Sequence, residues 1–171
     1  AKTPAVRLFG SGTILLEAIA AAAMLVEDYG VRVQVWSLTS ATELARDIQD
    51  VGRWNLLHPT SEQKHAYVAQ CMNENAGKKW MGTPVIAVSD YMKALPEQLR
   101  SAIDAPFHVL GTDGFGRSDS REKLRHFFEV DAKFIVLATL TELRARGLIE
   151  AKQITAFMKK EGIDQNKPNP L

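Results

Sequence analysis

The sequence has few of the features that mark disulfide-bonded, membrane-spanning or metal-binding proteins. Its 171 residues include a single cysteine, Cys71, which excludes an intramolecular disulfide and favours a reducing compartment. The most apolar run, AIAAAAMLV, falls well short of the ~20 residues that a membrane-spanning helix needs. The 4 histidines form neither an HExxH motif nor another pair with the spacing of metal ligands, so we expect no metal site.

An excess of charge of either sign is also lacking. The 21 lysines and arginines nearly balance the 20 aspartates and glutamates, which gives a formal net charge of +1. This balance provides no field that would favour nucleic acid or an anionic membrane as a partner. The length is that of one domain, and because an apolar run follows Ala1 almost at once, we expect the chain to be a piece of a longer protein.

Signatures of nucleotide binding and acyl transfer are missing as well. The sequence has no GxxxxGK(S/T) phosphate loop and no GxSxG nucleophile turn. FGSGT follows a predicted strand and opens a predicted helix, but with Gly10 and Gly12 alone it lacks the third glycine of the dinucleotide fingerprint. We therefore predict a tight strand-to-helix turn at FGSGT, and no catalytic constellation in the chain.

The sequence does contain a regular alternation of strand-like and helix-like segments. A strand, a helix and a strand within about 35 residues make a right-handed βαβ unit with parallel strands. We therefore predict a three-layer α/β/α fold around an open, mostly parallel sheet of four or five strands. The predicted strands cover residues 5–10, 31–38, 84–91 and 107–111.

Particular residues are predicted to begin and end the helices. Ser11 or Thr13 is expected to cap the first helix, and Gly30 to end it. Ser40 or Thr39 is expected to cap the second helix, over residues 41–57. Further helices are predicted over 61–75, 95–103, 121–130, 131–149 and 150–163, and residues 164–171 form a polar tail.

The segment GTDGFGRSDSRE, residues 111–122, is the richest candidate for a site. Gly111, Gly114 and Gly116 permit backbone angles that other residues avoid. Asp119 and Glu122 have the spacing of a capping box, which predicts a helix that begins after Asp119. Because this segment and FGSGT both follow predicted strands, we expect both at the carboxyl edge of the sheet, where open α/β sheets bind ligands.

Two interpretations of this segment remain open. In the first, four residues hold an anion: Arg117, Ser118, Ser120 and Arg121. In the second, the acidic residues of the segment neutralise its arginines and leave a self-satisfied loop that shapes an interface. The acidic residues are Asp113, Asp119 and Glu122. We favour the second, structural interpretation.

Another candidate lies in RWNLLHP, at the end of the second predicted helix. Trp54 and His58 are about one helical turn apart there. Since a large aromatic residue in such a position is more often an anchor than a stacking platform, we predict that Trp54, with His58 beside it, anchors a core or an interface.

Several segments spread along nearly the whole chain match one family. The most specific is the pattern GTDGFGRSDSRE.LR..FEVD, and the others are LFGSGTILLEAIAAAAMLVEDYGVRVQVWSLTSATELARD, RWNLLHP and SDYMKALPEQLR. On these segments the chain resembles the carboxy-terminal domain of the decarboxylating component of the homodimeric, bacterial type of pyruvate dehydrogenase, a relative of transketolase. The resemblance implies a fold like that of the transketolase carboxy-terminal domain.

The resemblance implies a parent enzyme that uses thiamine diphosphate and Mg²⁺ to decarboxylate pyruvate. It passes the acetyl unit to a lipoyl group on dihydrolipoyl acetyltransferase. In that family other domains hold the cofactor and the metal, and the family's metal signature, a GDG followed by a distant asparagine, is absent from TDGFGRSD. We therefore expect this chain to supply no catalytic, cofactor or metal residue. It should contact the other domains and the dimer partner of a cytoplasmic enzyme.

Two alternatives are retained. Transketolase or another ketose-transferring relative shares this domain, although RWNLLHP and GRSDSRE fit the dehydrogenase pattern better. The other alternative is a binding module in which the 111–122 segment receives a regulatory anion or an acidic partner segment.

Overall fold

The computed structural model describes residues 3–74 and 77–171. Four strands form one sheet in the order β2-β1-β3-β4, and each neighbouring pair is parallel. The strands are β1 (Ala5–Gly10), β2 (Arg32–Ser37), β3 (Val85–Val88) and β4 (Phe107–Leu110). The α-helices are α1 (Leu15–Tyr29), α2 (Ala41–Leu57), α3 (Tyr67–Ala69), α4 (Ala94–Glu97), α5 (Arg121–Phe127), α6 (Ala132–Ala145) and α7 (Ala151–Glu161).

The alternation of side chains along the strands divides the core into two layers. Val6 and Leu8 of β1 pack in a cluster with α1, α6 and α7, which we call the first face of the sheet. Phe9, the next residue of β1, points to the opposite side and packs with α2 and the short helical turns, which we call the second face. The predicted three-layer α/β/α fold is therefore confirmed, with four strands that are all parallel.

Glycine and serine define the ends of the long helices largely as predicted. Gly30 ends α1 in the left-handed region, with φ of 62°, and its N–H donates to the Val26 carbonyl at 3.1 Å. Ser40 caps α2 by accepting a hydrogen bond from the backbone N–H of Glu43 at 3.3 Å. These local signals depend on one or two residues, which is why the sequence identifies them.

The predicted cap of α1 is wrong. The helix is preceded by a 3-10 turn over Gly12–Ile14, and no side chain caps either the turn or the helix. The hydroxyl of Thr13 instead donates to Asp90 Oδ2 at 3.3 Å, a residue far away in the sequence.

The helix predicted over 61–75 is mostly wrong. Only Tyr67–Ala69 is α-helical, and a π-helical turn continues it over Gln70–Glu74. The Asn55 side chain exchanges two hydrogen bonds with the backbone of Lys64, at 2.9 and 2.8 Å, and Asp47 accepts from the N–H of Tyr67 at 2.6 Å. These bonds hold the preceding residues in an extended path along α2, so the helix begins late. Asn75 lies outside the described residues.

The third strand is shorter than predicted, because β3 ends at Val88 rather than near Tyr91. Ser89 begins a turn there, and its hydroxyl oxygen accepts a hydrogen bond from the N–H of Tyr91 at 3.1 Å. The turn releases Asp90 from the sheet at its carboxyl edge.

Candidate functional site at the carboxyl edge of the sheet

Loops from β1, β3 and β4 meet at the carboxyl edge and enclose a cavity of about 590 Å³, here called the edge cavity. Both FGSGT and the 111–122 segment contribute to it, as their positions after strands predicted. The loop after β1 leads to α1 on the first face, whereas the loop after β3 leads to the second face. Neighbouring strands whose connections leave to opposite faces form the crevice in which open α/β sheets bind ligands.

One wall of the edge cavity is a network around Arg125. Its Nη1 donates to Glu17 Oε1 at 2.7 Å, and its Nη2 donates to the Thr13 hydroxyl at 3.3 Å. The second oxygen of Glu17 accepts from the N–H of Ala132 at 2.9 Å, so this carboxylate joins α1, α5 and α6. With 18% of its side chain exposed, Arg125 is held in a fixed position at the cavity wall.

Two glycines of the 111–122 segment are required by the geometry. A Cβ on Gly111 would lie 2.7 Å from the carbonyl oxygen of Tyr91, so no side chain fits where the loops after β3 and β4 cross. Gly114 has φ of 89°, which L-residues with side chains rarely adopt. Gly116 has open space around it and is not constrained in this way.

The predicted internal ion pairs of this segment are wrong. Asp113 accepts from the N–H of Lys93 at 3.0 Å and lies 3.9 Å from its Nζ, because it bridges to the loop after β3. Asp119 lies 3.7 Å from Lys123 Nζ, one helical turn ahead. Arg117 stacks over the ring of Phe127 at 4.1 Å rather than pairing with a carboxylate. Among the described residues, Arg121 has no carboxylate partner, and Glu122 pairs with neither arginine. Ser118 is exposed.

The predicted capping box of α5 is also wrong by one residue. Ser120 is the N-cap, and its hydroxyl accepts from the N–H of Lys123 at 3.4 Å. Asp119 turns back to accept from the N–H of Ser120 at 2.7 Å, so it cannot serve as the cap. A full capping box occurs instead at α7, between Glu150 and Gln153.

Trp54 and His58 lie apart from the edge cavity. Helix α2 runs from the carboxyl edge back to the amino edge, and both residues are at its far end. Their rings stack with centroids 4.3 Å apart, the His58 Nδ1 donates to the Trp54 carbonyl at 2.8 Å, and Lys64 Nζ lies 4.0 Å above the indole. The structure therefore brings the two aromatic residues together but does not join them to the 111–122 segment.

Sequence reasoning missed three polar members of the edge cavity, Asp90, Thr112 and Arg125. Their proximity is tertiary, since the Thr13–Asp90 and Arg125–Thr13 pairs are separated by 77 and 112 residues. Asp90 carried a usable signal, because an acidic residue just after a buried strand falls at the ligand-binding edge.

The arrangement of the described residues also bears on metal binding and on membrane insertion. Within residues 3–74 and 77–171, no three histidine, cysteine, aspartate or glutamate side chains converge as a metal site. In the same part of the chain, no helix combines the length and apolar character needed to cross a membrane.

The all-parallel open sheet with a cavity at its carboxyl edge defines the chain as an open α/β domain of the three-layer type. Comparison with known families then narrows this class. The sequence profile described as the transketolase-like TK C-terminal domain matches residues 1–131, and the chain belongs to this family.

Similar proteins extend the match along nearly the whole chain. The pyruvate dehydrogenase E1 component of Cupriavidus necator is 49% identical over 168 residues, or 98% of this chain. Those of Escherichia coli K12 and Pseudomonas aeruginosa are 51% and 50% identical over 96% and 97% of it. Each match covers 18% of the relative, so the chain spans less than a fifth of these proteins. The resemblance inferred from the sequence is confirmed.

Proposed function

We propose that this chain is the carboxy-terminal domain of a thiamine diphosphate-dependent pyruvate dehydrogenase, with residues 1–171 as one domain. Its contribution is to organise contacts between domains and within a dimer. The observation that carries the proposal is the 49–51% identity to pyruvate dehydrogenase E1 components over 96–98% of the chain. Identity of this extent includes the surface, which a shared fold alone does not require.

An exposed apolar stripe supports the interface role. Leu16, Ile19 and Val26 lie on one side of α1 with 67%, 50% and 52% of their surface exposed. Val35 of the edge strand β2 adds to the same side of the sheet with 37% exposed. Contiguous exposed apolar residues of this kind mark interaction surfaces. We propose that other domains of the parent chain or its dimer partner cover this stripe.

The loop and aromatic candidates are also proposed as interface elements. The 111–122 segment projects from the carboxyl edge, and its Phe115 is 92% exposed. Trp54 and His58 form a stacked pair at the end of α2, with ring centroids 4.3 Å apart. Both surfaces offer aromatic anchors of the type that protein interfaces use.

We propose that thiamine diphosphate and Mg²⁺ are held by other parts of the parent enzyme. The residue here that comes nearest to the family's metal pattern is Asp113. Its carboxylate is engaged by the N–H and Nζ of Lys93, and that arrangement does not fit a Mg²⁺ ligand, which needs free oxygen atoms. This chain's residues therefore support a structural part and not a cofactor site. As the resemblance implies, the proposed setting is a cytoplasmic homodimer that delivers acetyl units to dihydrolipoyl acetyltransferase.

Turnover with an artificial electron acceptor tests this function. The intact polypeptide should oxidise pyruvate when supplied with thiamine diphosphate and Mg²⁺, and the isolated 171-residue chain should not. Circular dichroism of the isolated chain confirms that it is folded during the assay. Turnover by the isolated chain would contradict the proposal. Use of a ketose phosphate instead of pyruvate by the intact polypeptide would establish the transketolase alternative.

A further inference from the structure

We propose that the edge cavity binds a small anion with carboxylate or phosphate oxygens, with Arg117, Arg121 and Arg125 as its cationic ligands. This inference is independent of the proposed function, because it depends only on groups that this chain holds. It replaces the self-satisfied loop expected from the sequence, whose ion pairs the structure does not contain.

Two arginines at the cavity are without a carboxylate partner in the described part of the chain. Asp119 is engaged by Lys123, and Asp113 by Lys93, so neither neutralises Arg121. Arg117 lies over the Phe127 ring, with its guanidinium carbon 4.1 Å from the ring centroid, and it has no carboxylate partner among the described residues. Both arginines line the edge cavity. The planar fork of a guanidinium matches the paired oxygens of a carboxylate or phosphate.

Arg125 supplies a third, fixed cation. Its two bonds to Glu17 and Thr13 hold the side chain in place before any ligand arrives. A ligand that contacts Arg125 therefore loses little free energy to side-chain ordering, which favours affinity. Thr13 and Thr112 line the same cavity, but their hydroxyls already donate to Asp90, at 3.3 Å to its Oδ2 and 2.9 Å to its carbonyl oxygen, so the arginines supply the donors for an anion.

The charge balance of the cavity favours an anion but includes one opposing group. Asp90 lines the cavity, accepts a hydrogen bond from Thr13, and has no ion-pair partner among residues 3–74 and 77–171. Arg125 is balanced by Glu17 and Asp119 by Lys123. Two unpaired arginines, Arg117 and Arg121, thus face one unpaired aspartate. Removal of the Asp90 charge should therefore strengthen anion binding, whereas removal of an arginine should weaken it.

The experiment is a titration of the ¹⁵N-labelled 171-residue chain with inorganic phosphate and, separately, with malonate at constant ionic strength. We expect saturable shifts of the amide signals of Thr13, Thr112 and Gly116 with one dissociation constant. Arg121→Ala should raise that constant about tenfold, since a hydrogen bond to a charged group is lost. Asp90→Asn should lower it severalfold. Arg144→Ala, at an exposed position near the opposite edge, is the matched control and should leave it unchanged.

The titrations also separate the two ligand chemistries. Tighter binding of phosphate assigns a phosphate ligand, and tighter binding of malonate assigns a carboxylate ligand; either supports the site. Shifts that stay linear to the end of both titrations would overturn it. Equal weakening by Arg121→Ala and Arg144→Ala, or no strengthening by Asp90→Asn, would overturn it as well. A thermal melt of each variant verifies that the fold is intact, as expected at these exposed positions.

Discussion

The two faces of the sheet differ in how completely they are satisfied. The first face is covered by the long helices α1, α6 and α7, and its partly buried Arg125 is paired with Glu17 at 2.7 Å. The second face is covered by α2 and short turns. All three buried side-chain atoms without a partner in the described residues belong to it: Arg7 Nη2, Arg32 Nε and Trp36 Nε1.

Arg7 is the clearest sign of this difference. It is 1% exposed, and within residues 3–74 and 77–171 its guanidinium donates hydrogen bonds to the amide oxygen of Gln34 at 3.2 Å and the sulfur of Met72 at 3.7 Å, with no carboxylate partner. Burial lowers the pKa of Arg7, because desolvation disfavours the charged form. On the first face the partly buried Arg125 has a carboxylate partner, whereas on the second face the buried Arg7 has none among the described residues.

The largest effect should come from the core of the first face. Leu140 of α6 is 0% exposed, and Leu140→Ala should lower the free energy of unfolding by about 2–5 kcal/mol through the cavity it leaves. Urea denaturation of the chain measures this. Leu16→Ala, at a residue 67% exposed, should change it by less than about 0.5 kcal/mol. Equal losses in the two variants would contradict the assigned core.

Removal of the paired carboxylate on the first face should have the next largest effect. Glu17→Ala leaves the Arg125 guanidinium and the N–H of Ala132 without their acceptors, and should cost about 2 kcal/mol. Thermal melting measures the loss. Glu43→Ala, which breaks the exposed pair with Arg46, should cost about 0.5 kcal/mol or less. If Glu17→Ala cost no more than Glu43→Ala, the contrast between the faces would be removed.

Arg7→Met on the second face should act in the opposite direction. The substitution replaces a buried charge that lacks a carboxylate by an apolar chain of similar length, and should stabilise the isolated chain by about 1 kcal/mol. Arg7→Lys keeps the charge and should not stabilise it. Destabilisation by Arg7→Met in urea denaturation would mean that the charge is satisfied in solution.

The smallest effect concerns an exposed pair on the second face. Arg100 donates two hydrogen bonds of 2.8 Å to Glu97, which lower the pKa of that carboxyl. Because the folded pKa lies below the unfolded one, the pair stabilises the fold above the unfolded pKa. Its contribution is lost as the pH falls through the folded pKa. Glu97→Gln should cost about 0.5 kcal/mol at pH 7 and nothing in acid. If the stability difference between Glu97→Gln and the unmodified chain persisted in acid, the ion pair would not be its cause.

The sequence predicted the regular parts of the fold well because their signals are local. Strand β1 and helix α2 have the predicted bounds, and Gly30 and Ser40 act as predicted at helix ends. The failures share a physical cause. The 61–75 segment follows an extended path because side chains of α2 bind its backbone, and such tertiary bonds leave no trace in local periodicity.

The position of the candidate site was predictable from the sequence, but the ion-pair partners of its acidic residues were not. Both glycine-containing segments lie at the carboxyl edge, as their places after strands required. The partners of Asp113 and Asp119 were wrong, because the sequence order suggested the arginines whereas the fold brings Lys93 and Lys123 within reach. Charged residues in one loop are therefore poor evidence for ion pairs within that loop.

Pyruvate turnover by an intact polypeptide that carries Ile19→Lys tests most directly whether this chain acts through its surfaces. Ile19 is 50% exposed, so the isolated chain should lose less than about 0.5 kcal/mol. The proposed interface role predicts that a lysine at this position of the intact polypeptide lowers turnover about tenfold or more and weakens the proposed dimer. Thr155→Lys on exposed α7 is the control and should leave turnover unchanged. Full turnover by the Ile19→Lys polypeptide, with an unchanged dimer, would contradict the account.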